Sequence, residues 1–463
     1  MASLSSLRFT GVWVIIAIGI AFPLSGHASE LLSVDDFESR TLSSALDALL
    51  ESEEKVDGGA IETGKTAASK SHENVGARAA ANARIVNGLR TVSFPAVGSI
   101  LKGRDAGQVR QWCTGTLIGS RHVVTAAHCI LIDSDDPSTT QEYPDPAPYQ
   151  LFFQNAGLFK VEKIYWQKNN YQFPNADIAV LRLKNPVRSI RPAALSLNEE
   201  PRTGTRASIL GFGRTGGGNY DYGIKRIGSV RLSPCTGTGY NDVDLLCWEY
   251  VASVAEPGQN SNTCNADSGG PMMWAISPMR MVLAGVTSGG TRRDCLSADR
   301  SYDVSVFAHA HWIKSVVGAD LGKAADVPPI VGEDGTTVLA DDGRLTDEDT
   351  KSSWTFRVAE EAREVLVAFN AEDDGQYSND FDLEVSFVED GGLRQSLCKV
   401  TNQSQFGACE FSDPQQGVWE ATLSRKLGQG FYQIVVTQFH WQGPTSPKTA
   451  VPLHNSNSGA NQY

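Results

Sequence analysis

From Ile85 onward the chain sets short apolar runs between clusters of glycine, proline and asparagine. PAVGSIL, GTLIGSRHVVTAAHC, DIAVLRL, ASILGFG and MVLAGVTSG follow one another without a sustained helical repeat. Short runs bounded by turn-forming residues predict β-strands, and a long series of them predicts a barrel or a sandwich. The series closes in FAHAHWIKSVVGAD, which predicts a terminal helix. Residues 319–345, rich in Ala, Asp, Gly and Pro, read as a linker. A smaller group of runs follows, SWTFRVA, EVLVAFNA, FDLEVSFV, GVWEATL and FYQIVVTQF, several alternating apolar with polar. Residues 346–442 organised in this way predict a β-sandwich. The remainder, 443–463, is a polar tail.

The N-terminal region has a different texture. Arg8 is the only charge before an apolar run from Phe9 to Leu24, and small residues at Gly26 and Ala28 allow cleavage after Ala28. That pattern predicts a signal peptide over 1–28. The run is shorter than the roughly 20 residues that span a bilayer, so no stable membrane span is expected in the mature protein. Residues 29–84 begin acidic with Leu at helical spacing and continue small and polar, which suits a removable pro-segment. Hydrophobic residues make up 41% of the 463, enough for buried cores, and the formal net charge is −13. That charge argues against nucleic acid or an anionic membrane as the main partner. There is no CxxC and no phosphate-binding glycine loop. Eight cysteines, at 113, 129, 235, 247, 264, 295, 398 and 409, in an exported chain imply disulfides. The expected destination is extracellular, reached through a periplasm where the cell has one.

Three segments carry candidate chemistry: VVTAAHC with His128, NADIAVLRL with Asp177, and NTCNADSGGP with Ser268. Serine is a poor nucleophile at neutral pH. It needs a base within hydrogen-bond reach, and the base needs a carboxylate that fixes its tautomer. Taken singly, His128 also fits a core histidine, Asp177 a turn residue before a strand and Ser268 a tight glycine turn; Cys129, the DIAVL setting, and the Cys and Pro around Ser268 favour the catalytic readings. His309 and His311 form HxH, but positions i and i+2 of a helix point apart, so a surface helix is favoured over a metal site. No GxSxG surrounds Ser268, which leaves a lipase or esterase without support.

In order and spacing, RIVNG, TAAHC, DIAVLRL and DSGGP resemble the chymotrypsin/trypsin-like serine proteases across 85–318. The resemblance implies an all-β fold: two six-stranded β-barrels with a C-terminal helix and an active-site cleft between the barrels, here followed by the smaller sandwich. It implies a secreted endopeptidase made as a zymogen, acting on proteins or peptides. His128 would be the general base, Asp177 its orienter and Ser268 the nucleophile. The N–H groups of Ala266 and Ser268 would form the oxyanion hole. Ser288 would hold the aspartate, and Gly289 and Gly290 would pair with substrate backbone. An activating trypsin-like protease would cut between Arg84 and Ile85, and the new amine would pair with Asp267. The implied disulfides are Cys113–Cys129, Cys235–Cys247 and Cys264–Cys295, which leaves Cys398 with Cys409. No cofactor or catalytic metal is implied.

The chain also departs from that family. Ala266 stands where glycine is usual, and a Cβ is disfavoured at positive φ. This leaves a second reading, a weak or inactive homologue that acts as an extracellular binding protein. Asn262, at the expected base of the substrate pocket, is neutral where trypsin-like members have Asp. A neutral, chymotrypsin-like or broad pocket follows unless Asp294, Asp299 or Arg300 supplies charge. Gly289 replaces an aromatic residue. The C-terminal strands, through NDFDLEVSF, GACEF and GFYQIVV, resemble the bacterial pre-peptidase C-terminal sandwich. Asp380 and Asp382 are candidate calcium ligands there, or a polar turn entering a strand.

Overall fold

A computed structural model describes residues 85–440, apart from 104–108, 132–143, 189, 241–242, 252–255, 325–334, 374–378 and 402–403. The segments expected to be a signal peptide, a pro-segment with Arg84 and a polar tail lie outside the described residues.

The strands lie where the short apolar runs fall. After β1 (Leu89–Arg90), the first barrel contains β2 (Val97–Lys102), β3 (Arg110–Leu117), β4 (His122–Thr125), β5 (Tyr149–Phe153), β6 (Gly157–Trp166) and β7 (Ala179–Leu183). It closes in the order β2-β3-β4-β7-β6-β5. The second contains β8 (Arg206–Gly211), β9 (Arg226–Ser233), β10 (Leu245–Glu249), β11 (Pro271–Ser277), β12 (Arg280–Gly290) and β13 (Arg300–Ser305). These form the ring β8-β9-β10-β13-β12-β11, closed by the β8–β9 pairing, with β1 added beside β9. A short helix, α1 (His128–Leu131), follows β4, and α2 (Ala310–Val317) ends this half of the chain.

Two turns of polar chemistry brace the half just described. Asp320, after α2, accepts hydrogen bonds from Ser120 N at 3.1 Å, Ser120 Oγ at 2.6 Å, Arg121 N at 3.1 Å and His122 Nδ1 at 2.6 Å. His309, at the start of α2, is buried between Gln167 Nε2 and the carbonyl of Asn175, each at 2.8 Å. Both its ring nitrogens are occupied, so the HxH is a structural tie and not a metal site.

The C-terminal strands form two antiparallel four-stranded sheets. They are β14 (Thr336–Leu345), β15 (Lys351–Val358), β16 (Ala362–Ala371), β17 (Asp380–Val388), β18 (Arg394–Val400), β19 (Phe406–Ser412), β20 (Gly417–Leu427) and β21 (Gly430–His440). One sheet runs β14-β21-β16-β19 and the other β15-β20-β17-β18. β17 and β20 alternate in burial as the sequence pattern predicts for a sheet with one wet face. β21 and β16 are buried almost throughout. Their Tyr432, Ile434, Val367 and Phe369 fill the sandwich core. The other face of this sheet lies on the first barrel: Leu366 and Ala368 of β16 and Phe406 of β19 join the cluster that holds Ile100, Leu151 and Phe152. Phe406 meets Phe152 edge-on with ring centroids 5.3 Å apart. A fully buried side chain of this size contributes about 1.5–3 kcal/mol, so the barrel and sandwich share a substantial part of their cores.

The linker reading of 319–345 needs one correction. Residues 336–345 form β14, paired along β21. Only Leu345 of this strand is buried, so the strand carries no apolar alternation to announce it. Backbone pairing and polar ties, such as Trp354 Nε1 to Asp341 at 2.6 Å, hold it instead. At the candidate calcium site, the Asp382 carboxylate pairs with Lys426 Nζ at 3.4 Å. Asp380 Oδ1 is buried there without a hydrogen-bond partner among the described residues, and burial together with the Asp382 charge holds its carboxyl above the ordinary value.

Candidate active site

His128 opens α1, immediately after β4, and Asp177 precedes β7, the strand paired with β4. Pairing of neighbouring strands therefore brings the two together. Asp177 is wholly buried. Its Oδ1 accepts the His128 backbone N–H at 2.7 Å, and its Oδ2 accepts His128 Nδ1–H at 2.7 Å and Ser288 Oγ–H at 2.6 Å. With the proton on Nδ1, His128 Nε2 keeps its lone pair. Burial alone lowers the imidazole pKa, but the Asp177 charge and hydrogen bond outweigh it and hold His128 above its ordinary value.

Ser268 sits in a turn pressed against β3 and against Cys129 of α1. Its carbonyl accepts Thr114 N–H at 2.9 Å and lies 3.6 Å from Cys129 Sγ, beside His128. Gly269 makes this approach possible: its φ is +81°, and a Cβ there would collide with Thr125 Oγ1 and the Thr114 carbonyl. Gly269 N also donates to Thr287 O at 2.7 Å, which ties the turn to β12 just ahead of Ser288. Among the described residues no hydrogen bond joins Ser268 Oγ to His128. Catalytic bonds of this type are commonly long until substrate binds.

The two N–H groups beside Ser268 follow from peptide planarity. In a trans peptide the C=O and the next N–H point in opposite directions. The Asn265 carbonyl accepts Arg214 N at 3.1 Å, so the Ala266 N–H is turned away from that loop. The Asp267 carbonyl accepts Gly270 N at 2.8 Å, so the Ser268 N–H is likewise turned outward. Neither N–H donates to another described residue. Ala266 pays for this arrangement with φ 72°, in the left-handed region. Its carbonyl is fixed by Thr114 Oγ1 at 3.0 Å. Replacing Ala266 with glycine should raise unfolding stability by about 1 kcal/mol, because the left-handed penalty disappears. Denaturant titration of the two proteins measures this directly.

Asp267 is fully buried. Gly213 N donates to its Oδ1 at 2.7 Å and Cys264 N to its Oδ2 at 2.9 Å. Burial pushes its carboxyl up to about 7, against these two bonds and the nearby Arg226 charge. Ile85 is also fully buried, packed in the second barrel with Ile209, Val230, Trp248 and Met272. Val86 bridges to Asn262, whose N–H reaches the Val86 carbonyl at 3.0 Å.

Asn262 proves to be a tile and not a free pocket base. Its Nδ2 donates to Cys295 O at 3.1 Å and Asp299 Oδ2 at 2.8 Å. Its Oδ1 accepts Trp248 Nε1 at 3.1 Å and Ser301 Oγ at 2.6 Å. Asp299 is buried there with Thr291 Oγ1 and Arg292 N on its other oxygen, at 3.0 and 2.8 Å. A Cβ on Gly290 would lie 2.7 Å from the Asp299 carboxylate. Of the three charges weighed from sequence, Asp299 is the one at this floor. Asp294 pairs outward with Arg292 at 2.8 Å, and Arg300 with Glu249 at 2.8 Å. Gly289 packs under Tyr302.

All eight cysteines are in disulfides: Cys113–Cys129, Cys235–Cys247, Cys264–Cys295 and Cys398–Cys409. The first brackets the His128 segment and the third ties the Ser268 segment to the Asp299 wall. Cys113, His128 and Cys129 are the described residues whose ligand atoms cluster most like a metal site, but both sulfurs are consumed in a disulfide. Sequence reasoning did not single out Arg214, Thr114 or Gln111, which hold the turn from behind. They lie in ordinary strand and loop sequence, with no motif to mark them.

Two six-stranded barrels, with Asp177 bonded to His128 and the Ser268 turn packed beside Cys129, have the fold of a trypsin-like serine protease. Residues 85–313 match the family model described as Trypsin, and through them the chain belongs to the trypsin-like serine protease family. It is similar to clotting factor C of Tachypleus tridentatus, 26% identical over 234 residues, covering 44% of this chain and 22% of that protein. It is also similar to snake venom serine protease serpentokallikrein-1 of Protobothrops mucrosquamatus, 27% identical over 240 residues, covering 49% of this chain and 84% of that protein. The thrombin-like enzyme kangshuanmei of Gloydius brevicauda is 25% identical over 228 residues, 47% of this chain and 89% of the enzyme. The chain thus spans about a fifth of clotting factor C and most of serpentokallikrein-1 and kangshuanmei. The family match ends before the sandwich. Among the described residues no helix is long and apolar enough to cross a membrane.

Proposed function

We propose that the chain is a secreted serine endopeptidase, made as a zymogen and activated by cleavage between Arg84 and Ile85. The observation that carries the reading is the buried Asp177, which binds His128 through both backbone and ring and is itself held by Ser288. In the proposed reaction Ser268 Oγ attacks the substrate carbonyl while His128 Nε2 takes its proton. The Ala266 and Ser268 N–H groups stabilise the oxyanion, and the amine leaves with the proton from His128. Water then repeats the sequence on the acyl-enzyme. The four disulfides suit an extracellular destination.

Activation follows from Asp267. A carboxyl raised to about 7 in the fold opposes folding once ionised: its contribution is intact below its unfolded pKa and is lost as pH rises toward 7. An ammonium freed at Ile85 would offset that loss by pairing with the carboxylate. Cleavage should therefore raise the thermal midpoint more at pH 8 than at pH 5, where Asp267 is protonated in the uncleaved chain. The difference corresponds to at most about 4 kcal/mol. Calorimetry of cleaved and uncleaved protein at both pH values tests it, and equal shifts at the two would contradict the pairing. Hydrolysis of a peptide substrate by the cleaved chain, blocked by a fluorophosphonate, tests the peptidase reading itself.

A further inference from the structure

The loop between β8 and β9 touches the catalytic turn at one end and the sandwich at the other. At its start, Gly213 N holds Asp267 Oδ1 at 2.7 Å. Arg214 holds Asn265 twice, backbone N to the carbonyl and Nε to Oδ1, each at 3.1 Å. These bonds set the peptide that turns the Ala266 N–H outward. Toward its end, Tyr222 and Asp373 exchange two backbone hydrogen bonds, at 3.1 and 2.9 Å. Asn370 Nδ2 donates to Gly223 O at 2.8 Å. Gln433 clasps Lys225, accepting its N–H at 2.8 Å and donating to its carbonyl at 3.1 Å.

Asn370 and Gln433 are wholly buried and bonded to each other at 2.8 Å, with Gln154 of the first barrel donating to both at 2.9 and 3.1 Å. Every polar atom of Asn370 and Gln433 has a partner, while Gln154 Oε1 has none among the described residues, so it is the bonds of Asn370 and Gln433 that hold the sandwich and the loop in one arrangement. A second route runs through Asp373, whose Oδ2 accepts Gln111 N at 3.1 Å. Gln111 Nε2 in turn donates to Cys113 O at 2.8 Å and reaches the Ala266 carbonyl at 3.5 Å. The segment behind Ile85 is gripped as well: Gln433 Nε2 donates to Thr91 O at 2.9 Å, and Arg90 pairs with Asp342 and lies 4.5 Å over the Phe431 ring.

We propose that the C-terminal sandwich is an internal positioning element for the oxyanion site. Through Asp373, Asn370 and Gln433 it holds the Gly213–Lys225 loop and Gln111, and these keep the Asn265 carbonyl turned inward and the Ala266 N–H turned into the cleft. The inference rests on the reading of Ser268 as nucleophile. Asp373, Asn370 and Gln433 are positioning residues: the described contacts tie them to the loop and strand, and through those to the turn. This assigns the sandwich a role in turnover itself, in addition to any role in stability.

The test uses the full-length chain cleaved after Arg84, as wild type, Asp373→Ala, Asp373→Asn and Asn370→Ala, with rates taken per folded molecule. Asp373→Ala removes the acceptor for Gln111 N–H. Its kcat on a peptide substrate should fall about 10- to 100-fold, toward the loss seen when one oxyanion donor is deleted, with KM within about twofold. Fluorophosphonate labelling of Ser268 should slow in parallel, and Asn370→Ala should act in the same direction. Asp373→Asn keeps an acceptor oxygen and should retain most of the activity. Wild-type kcat in folded Asp373→Ala and Asn370→Ala overturns the inference while leaving the peptidase intact. So does an Asp373→Asn variant as slow as Asp373→Ala with the same drop in thermal midpoint, since that outcome reports stability alone. A wild-type chain that neither turns over nor labels contradicts the peptidase reading and, with it, this inference.

Discussion

Ser268→Ala should reduce kcat by about 10⁶-fold and abolish fluorophosphonate labelling, while the thermal midpoint stays within about 2 °C of wild type. The two halves of this expectation have separate causes. The turn is held by its backbone: Ser268 O accepts Thr114 N, Gly269 N donates to Thr287 O and Gly270 N to Asp267 O. None of these bonds involves the hydroxyl, so its removal leaves the turn in place. In the proposed mechanism the acyl-enzyme forms on that hydroxyl, and neither Ala266 nor Asp267 offers a group that could replace it. Substrate binding is expected to persist in the variant, so KM or a competitive-inhibitor constant should change little. A variant that kept a tenth of the wild-type rate would require another nucleophile and would remove Ser268 from the mechanism.

Asp177→Asn is expected to lower kcat by about 10⁴-fold with the fold preserved. The amide is nearly the same shape, but it has one acceptor oxygen where the carboxylate presents two. Asp177 accepts three hydrogen bonds, two of them from His128 and one from Ser288. With an amide N–H facing the ring, Nδ1 becomes the acceptor and the proton moves to Nε2, where it cannot serve as base. The same substitution removes the charge that holds the His128 pKa above its ordinary value. The acid limb of residual kcat/KM should therefore move to lower pH than in wild type. An unchanged limb with a large rate loss would mean that another group sets the acid limb.

The sequence made some features of this architecture visible and hid others, for physical reasons that differ from one residue to the next. Barrel strands announce themselves because each pairs an apolar run with Gly, Pro or Asn at its ends, as in VVTAAHC and DIAVLRL. The residues brought to the cleft sit in short motifs whose order is itself informative. β14 was invisible because a strand held by backbone pairing and surface polar ties needs no apolar alternation. The docking of the sandwich was hidden for the opposite reason. Asn370 and Gln433 lie in strands where polar residues are expected to face water, yet here that face is covered by the first barrel and their amides are spent on Gly223, Lys225 and Gln154. At the expected base of the substrate pocket, Asn262 is neutral by sequence, but its neutrality says little because Asp299 is bonded to it. That contact joins two residues outside the named strands, 37 positions apart, and spacing along the chain does not reveal it. Ala266 shows the converse: a departure from family pattern that the surrounding carbonyl bonds accommodate at φ 72°.

Cleavage ahead of Ile85 is expected to yield a serine-nucleophile peptidase centred on Ser268. The most direct measurement treats the purified full-length proform with trace trypsin, sequences the new N-terminus and counts fluorophosphonate labelling of Ser268 before and after. Appearance of Ile-Val-Asn-Gly with a sharp rise in labelling is the predicted result. Appearance of the same N-terminus with Ser268 still unlabelled would contradict the account and leave the chain a protease-like fold that works by binding.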